Sequence, residues 1–391
     1  MWLDLSWYYN AKGWVKKRRK AILWAAAVTG GGVCVYYAAS WYRVGMKMRD
    51  EEASRLAVLH KEAEERVEAQ LQYHFESIQQ ISDSTTLPSV LPHLRDRLFS
   101  LVDLSGLTER LVAGKGDPQA LSHQEKMQLW YRLKILSFTR TMSAMSAVGL
   151  LDLFVRIQLN ILGRRMYIDT ARDLSATEGQ DLEGNLYISC QHRFLAFAEF
   201  LPHVGLDRLV KDIQFAVEKI MKSIPLKQPF DSYGLRDLFS QILASFMSQQ
   251  LEWEMYVLPT DDILSDDLEA TVTEADAEYS SKVRFMSTDD RHDFNTLMAE
   301  TRAIISSAEF HSALEAVFDV MLNEAMAKYE EGFFGSSTRG IPLAKLLPYV
   351  ANLASSFLEH AENNAFILAV ASHPKVQSFC AMVYASSAPE I

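Results

Sequence analysis

Cysteine, proline and glycine are scarce in this sequence, and recognisable catalytic motifs are missing. The 391 residues include only 3 cysteines, 11 prolines and 17 glycines. The cysteines lack motif spacing, which indicates neither a zinc site nor a disulfide framework. The sequence has no glycine-rich phosphate loop, G-x-S-x-G, H-E-x-x-H or C-x-x-C string. We therefore expect no catalytic residues, no cofactor, no metal and no small-molecule substrate. An enzyme remains the most distant alternative, because helical bundles can host sites without such motifs.

Proline is absent from long stretches of the chain. No proline precedes Pro88, and none occurs from 119 to 201 or from 260 to 341. These stretches are rich in Ala, Leu, Glu, Lys and Met, which favour helix. Sustained strand-like alternation of apolar and polar residues is also missing. The sequence therefore predicts an all-α fold.

Negative charge dominates everywhere except at the N-terminus. The chain carries a net charge of −11, but residues 1–49 hold nine Lys or Arg and one acid. That balance of +8 leaves −19 on the other 342 residues. An acidic body repels phosphate backbones, so we expect no nucleic-acid partner. The basic N-terminal part suits anionic lipid head groups or a targeting receptor.

An uncharged run of 22 residues, 21–42, follows a basic cluster near the N-terminus. The cluster consists of Lys16, Lys17, Arg18, Arg19 and Lys20. As a helix the run is about 33 Å long, close to the roughly 30 Å of membrane hydrocarbon. Trp41 and Tyr42 suit the membrane interface. We predict a retained transmembrane anchor, with a cleaved signal peptide or a buried soluble helix as alternatives. Cations flank both ends almost equally, so charge does not decide the orientation.

The rest of the chain is predicted to form a charged helical stalk, 43–84, and a helical bundle, 85–391. Residues 46–82 indicate a continuous helix, which the string SDSTTLPSVLP is expected to end. A second helix is expected over 88–113. Residues 259–281 carry eight acids and no cation, which is typical of an acidic surface loop. Further helical patterns occur at 189–224, 234–257, 291–330, 341–360 and 363–386.

The longest helical segment begins at Ser122, which has Glu125 three residues later, a capping-box pattern. Residues 148–162 are apolar on almost every side, which predicts a helix at the centre of an elongated bundle. Asp152 and Arg156 argue against a second membrane span there. Each charge costs about 2.5–3.5 kcal/mol at the bilayer centre. Four residues apart on a helix, the two can instead pair within a soluble core.

Four strings of the chain resemble the peroxin-3 family. They are LQYHFESIQQISDSTTLPSVLPHLRDRL (71–98), LWYRLKILSFTRTMSAMSAVGLLDLFVRIQLNILGRRMYID (129–169), MAETR (298–302) and IPLAKLLPYV (341–350). The resemblance implies a peroxisomal membrane protein with one N-terminal span and a cytosolic all-helical body. Such proteins dock peroxin-19, a soluble receptor and chaperone for new peroxisomal membrane proteins. The run 21–42 is then a retained anchor, and the basic cluster Lys16–Lys20 within the N-terminal tail 1–20 belongs to the targeting signal.

The resemblance also implies a groove that receives peroxin-19. The family has a Trp just before the string LK-I-SFTR, and Trp130 occupies that place in this chain. By a looser alignment, Leu111, Val112, Lys126 and Lys345 are expected to lie near the same groove. The partner is expected to insert the apolar face of a short helix.

From the residues alone, Trp130 has a second interpretation. Leu129, Leu133 and Leu136 form an apolar stripe, and a Trp at its edge usually packs in the core or at its rim. A binding role predicts instead that the ring is exposed in the free protein. Function has two interpretations as well. A docking receptor needs an apolar groove, whereas an organelle tether for inheritance or selective-autophagy factors needs only exposed patches.

Overall fold

The computed structural model describes most of the chain in eight ranges. These are 19–116, 122–173, 191, 193–249, 251–259, 288–330, 340–360 and 364–386. The side chains of 21–39 lie outside this description, as do residues 260–281 of the predicted acidic loop. The chain divides into two compact units, Met1–Tyr73 and His74–Ile391.

The described residues are almost entirely helical, which confirms the all-α prediction. The helices are α1 (Arg19–Ile81), α2 (Leu87–Leu101), α3 (Ser105–Gly116), α4 (His123–Asp173), α5 (Leu206–Met221), α6 (Ser232–Met247), α7 (Glu254–Val257), α8 (Thr288–Ile305), α9 (Ala308–Tyr329), α10 (Leu343–Phe357), α11 (Ala365–Ala371) and α12 (Pro374–Ala385). Short π-helical segments lie at Ser82–Thr86 and Leu201–Gly205, and a 3₁₀ turn lies at Phe197–Glu199. Two-residue strands β1 (Pro229–Phe230) and β2 (Ile341–Pro342) pair antiparallel, with Phe230 opposite Ile341.

Helix α1 runs through both the predicted anchor, 21–42, and the predicted stalk. Arg19 begins the helix and Lys20 is exposed, whereas residues 1–18 lie outside the described part of the chain. Ion pairs four residues apart support the solvated part of α1: Lys61 with Glu65, and Glu62 with Arg66. His60 Nδ1 also lies 3.1 Å from Glu64 Oε1. Such exposed pairs each stabilise a helix by about 0.3–0.5 kcal/mol. The membrane anchor itself stays a prediction.

Two predicted helix ends are wrong. The string after residue 81 does not end the helical path, because the π-helical segment Ser82–Thr86 joins α1 directly to α2. Pro88 lies in the first turn of α2, directly after the π-helical segment. The helix predicted over 88–113 is instead two helices. The Asp103 carboxylate accepts a hydrogen bond from the Ser105 backbone N–H at 2.9 Å and thereby starts α3.

Helix α4 forms the centre of the second unit, as predicted. Its capping box is present: Glu125 N donates to Ser122 Oγ at 3.2 Å, and Ser122 N donates to Glu125 Oε2 at 2.9 Å. Residues 148–162 are all buried. Among the described helices, only the His123–Ile168 part of α4 is by itself long and apolar enough to cross a membrane, and its apolar window lies entirely inside the body. Helices α5 and α10 pack along α4, so it is a core helix rather than a second span.

The end of α1 and the segment after it pack antiparallel along the C-terminal half of α4. The pairs are His74 with Tyr167, Ile78 with Gly163, Gln79 with Asn160, and Asp83 with Arg156. From the first pair to the last, the residue number rises on the α1 side and falls on the α4 side, so the two segments run antiparallel. A Cβ atom on Gly163 would lie 2.0 Å from Ile78 Cδ1, so the glycine allows this close approach. We call these four pairs the α1–α4 seam.

Arg156 is buried within the seam and has several anionic or polar partners. Its Nε donates to Asp152 Oδ2 at 3.0 Å, its Nη1 to Gln79 Oε1 at 3.1 Å and its Nη2 to Asp83 Oδ1 at 2.5 Å. The predicted pairing of Asp152 with Arg156 is therefore confirmed. Burial raises the pKa of Asp83, and the Arg156 charge only partly opposes this rise.

Candidate functional site

Helices α3 and α4 form an antiparallel hairpin. Hydrogen bonds from Ser105 lower the pKa of Asp103, and nearby Arg140 adds a smaller effect. Hydrogen bonds from Ser122 lower the pKa of Glu125, and Arg110 of α3 adds a smaller effect. The start of α3 is thus near Arg140, and its later part is near Glu125. This register brings Leu111 and Val112 beside the first turns of α4.

Exposed apolar and aromatic side chains lie on both helices of the hairpin. Met127 is 53% exposed and Tyr131 is 44% exposed, while Trp130 is partly buried against the core. Lys126 lies one turn before Trp130 and is partly exposed. Val112 of α3 is 69% exposed. We call Val112, Lys126, Met127, Trp130 and Tyr131 the hairpin face.

The spacing on α4 explains why these side chains form one surface. Met127 is three residues before Trp130 and four before Tyr131, so all three are neighbours on the helix. Leu129 and Leu133 point the opposite way and are buried. Trp130 is partly buried, so it has features of both a core residue and a surface residue. Its side chain packs against the core and also borders the exposed surface.

Leu111 is placed inside the hairpin rather than on its surface. Its side chain is 8% exposed and belongs to the hydrophobic core, as do Leu129 and Leu133. We expect Leu111 to support the hairpin face from below. It is therefore a packing residue, whereas its neighbour Val112 is exposed.

Lys134 lies beneath Tyr131 and is buried without a carboxylate among its hydrogen-bond acceptors. Its ammonium donates to Met221 O at 2.9 Å and to Ile224 O at 2.8 Å. The same nitrogen is 4.8 Å from the centre of the Tyr131 ring. The Lys134 ammonium has three N–H donors, and two carbonyls and one aromatic face surround it as partners. Burial lowers the pKa of Lys134.

Lys345 is exposed in the first turn of α10. The start of α10 is bonded to the segment that follows α5: Leu343 N donates to Gln228 O at 2.9 Å, and Ala344 N donates to Leu226 O at 3.0 Å. Lys134 of α4 bonds the same segment at Ile224. Lys345 therefore lies at the same end of α4 as Trp130, but on a separate element.

A cavity of about 440 Å³ opens between the end of α5 and the start of α6. Lys219, Asp231 and Asp237 contribute charge to its lining, and Phe230 and Leu238 contribute apolar surface. Asp231 caps α6, since its carboxylate accepts a hydrogen bond from Gly234 N at 2.7 Å. Over the ranges that the structure describes, His, Cys, Asp and Glu do not gather in threes as metal ligands would. The hairpin face is therefore the stronger candidate site.

Sequence reasoning missed Met127, Tyr131 and Lys134. The helical spacing from residue 127 to 134 could have grouped them with Trp130. Their exposure and contacts could not be read from the sequence, because these depend on where α5 ends. An all-helical body that presents an aromatic and apolar helix face has the features of a protein-binding module.

Comparisons with known proteins match most of the chain. The family model described as Peroxin-3 matches residues 113–386. Peroxisome biogenesis protein 3-2 of Arabidopsis thaliana is 34% identical over 388 residues, covering 96% of this chain and 98% of the relative. Peroxisomal biogenesis factor 3 of Mus musculus is 27% identical over 407 residues, covering 96% of this chain and 97% of the relative.

The chain belongs to the Peroxin-3 family. Membership assigns it a role in peroxisome biogenesis, and the family is peroxisomal and membrane-associated. Its members are biogenesis factors rather than a known family of enzymes. The family recognised in the sequence is thereby confirmed.

Proposed function

We propose that the protein is a docking receptor on the peroxisomal membrane for peroxin-19, and that it thereby supports insertion of peroxisomal membrane proteins. The observation that carries this proposal is the hairpin face, where the partly buried Trp130 is accompanied by exposed Met127 and Tyr131. Aromatic side chains are enriched at the energetic centres of interfaces. A helix face of this kind suits an amphipathic partner helix, which would cover the apolar side chains and leave its polar side in water.

Packing against the core prepares Trp130 for binding. A ring that already rests on the body loses less conformational freedom when a partner covers it, and this favours affinity. Lys126 lies four residues away on the same helix, where a charge at the rim affects association rate and specificity more than affinity. Lys345 is close enough to the same end of α4 to border a longer partner segment.

Replacing Trp130 with Ala is expected to weaken binding of peroxin-19 by at least about thirtyfold, or about 2 kcal/mol. The exposed part of the ring supplies contact area that Ala lacks. Stability should fall by less than the roughly 3–5 kcal/mol typical of a fully buried aromatic residue. Titration calorimetry and a thermal melt of the same variant measure the two effects.

Lys126→Ala provides a comparison on the same helix. It should weaken binding less than Trp130→Ala does, and its effect should shrink as salt increases. If Trp130→Ala binds peroxin-19 normally but melts much lower, Trp130 is a core residue. The tether for inheritance or autophagy factors would then become the better proposal.

The proposal includes the single N-terminal span with the body facing the cytosol. Residues 21–42 belong to the continuous helix α1, and that helix is long enough to cross the bilayer. We expect residues 1–45 fused to a fluorescent protein to reach peroxisomes, and 46–391 alone to stay in the cytosol. Fluorescence microscopy with a peroxisomal marker makes the measurement. Secretion or mitochondrial targeting of the fusion would contradict it.

A further inference from the structure

Tyr131 presents the second large aromatic ring of the hairpin face. Tyr131 is four residues after Met127 and Trp130 is three residues after it, so both rings adjoin Met127 on α4. The ring is 44% exposed, so it offers surface to a partner while part of it rests on the body. A Tyr at such a place supplies apolar area and a hydroxyl group, and only a few torsions have to be fixed on binding.

The orientation of the Tyr131 ring is linked to a buried cation. The Lys134 ammonium lies 4.8 Å from the ring centre, and two backbone carbonyls at the end of α5 hold that ammonium from the other side. A cation over an aromatic face is attracted to the ring, and more strongly where water is excluded. Lys134 is only 2% exposed, so the ammonium is a fixed support rather than a mobile surface charge.

We propose that Tyr131 is a second aromatic anchor for the partner helix, and that Lys134 is a positioning residue that fixes its ring for binding. This inference rests on the proposed function, because it concerns the same hairpin face and the same peroxin-19 helix. Fixing a ring before binding reduces the entropy lost on association, and the gain appears as affinity.

The surroundings of Tyr131 also define the chemistry of the partner helix. The exposed cations Arg110 and Arg132 and the partly exposed Lys126 lie on the two helices of the hairpin. Two exposed carboxylates, Glu109 and Glu125, lie on the same helices, so the cations exceed them by one. Lys134 occupies one face of the Tyr131 ring, which disfavours a second cation against that ring. A helix with an apolar face and acidic flanks therefore fits this surface best.

The first experiment titrates peroxin-19 into the full-length protein in detergent micelles. Tyr131→Ala is expected to lower the affinity about tenfold or more, and Tyr131→Phe should lower it much less because the ring remains. Tyr233→Ala is a matched control, since Tyr233 is 80% exposed and lies on α6, away from the hairpin. Its affinity should equal that of the wild type. Circular dichroism melts establish that each variant is folded.

The second experiment tests the role of Lys134 through a double-mutant cycle. Lys134→Met fills similar space without the charge, and it should weaken binding about threefold to tenfold when Tyr131 is present. In the Tyr131→Ala background the same change should have a much smaller effect, because no ring remains to be oriented. A purely structural role for Lys134 predicts equal losses in both backgrounds and would overturn its positioning role.

The outcomes separate this inference from the function on which it rests. If wild-type protein fails to bind peroxin-19, the proposed function is wrong and this inference falls with it. If the wild type binds and Trp130→Ala weakens binding but Tyr131→Ala does not, the docking proposal stands. In that case only the second anchor is overturned.

Discussion

Replacing Leu153 with Asp is expected to unfold the helical body. Leu153 is completely buried in the central part of α4, where 148–162 has no exposed residue. Losing a buried Leu side chain costs about 2–5 kcal/mol, and burying an unpaired carboxylate costs several more. The sum approaches the whole stability of an ordinary domain, about 5–15 kcal/mol. Circular dichroism and limited proteolysis of the second unit would show the loss directly.

A matched control separates burial from the chemistry of the substitution. Leu368 of α11 is 51% exposed, so Leu368→Asp makes the same change at a solvated position. We expect it to alter stability by no more than about 0.5–1 kcal/mol. Similar melting of the two variants would mean that α4 is not the structural centre of the body.

Replacing Arg156 with Met is expected to lower the free energy of unfolding by about 3–5 kcal/mol at neutral pH. The change leaves the carboxylate of Asp152 buried without its cation and removes a donor from Gln79 and Asp83. Chemical denaturation followed by circular dichroism measures the loss. Adding Asp152→Leu to the same variant should recover much of the stability, because replacing both members of a buried ion pair is often nearly neutral.

The loss caused by Arg156→Met should depend on pH. Burial already raises the pKa of Asp83 in the folded protein, so its protonation stabilises the folded state as pH falls. Without Arg156 this protonation matters more, since it removes uncompensated charge. Destabilisation should therefore be largest near neutral pH and smaller at about pH 5. An equal loss at both values would show that protonation of Asp83 does not carry the effect.

The centre of the fold could be predicted because its signals are local. The capping box at Ser122 and Glu125 fixes the start of α4 through contacts three residues apart. The apolar character of 148–162 requires burial whatever surrounds it. The pairing of Asp152 with Arg156 follows from helical spacing alone.

The helix ends could not be predicted as well, because tertiary contacts decide them. A string rich in Ser, Thr and Pro usually ends a helix, but Ser82–Thr86 remains helical where Asp83 reaches buried Arg156. The division between α2 and α3 depends on one local hydrogen bond from Ser105 to Asp103. This bond competes with the backbone hydrogen bonds of an uninterrupted helix. Amino-acid composition does not show which of the two is more favourable.

The candidate site was only partly visible in the sequence. The family resemblance identified Trp130 as a candidate. Its partial burial and its neighbours on the hairpin are known only from the structure. Lys134 could not be assigned from the sequence, because its partners Met221 and Ile224 are about ninety residues away. The carbonyls at the end of a distant helix have no sequence pattern that identifies them as acceptors.

The antiparallel α1–α4 seam also determines how the body would respond to a mechanical load on α1. Its four pairs extend from His74 to Asp83, a length of about 14 Å at 1.5 Å per residue. Tension along the helix axis would load these contacts together in shear, whereas a sideways force would peel them apart one after another. Forced separation depends on the unfolding rate rather than on equilibrium stability. The seam is therefore expected to resist tension along α1 better than a sideways force on it.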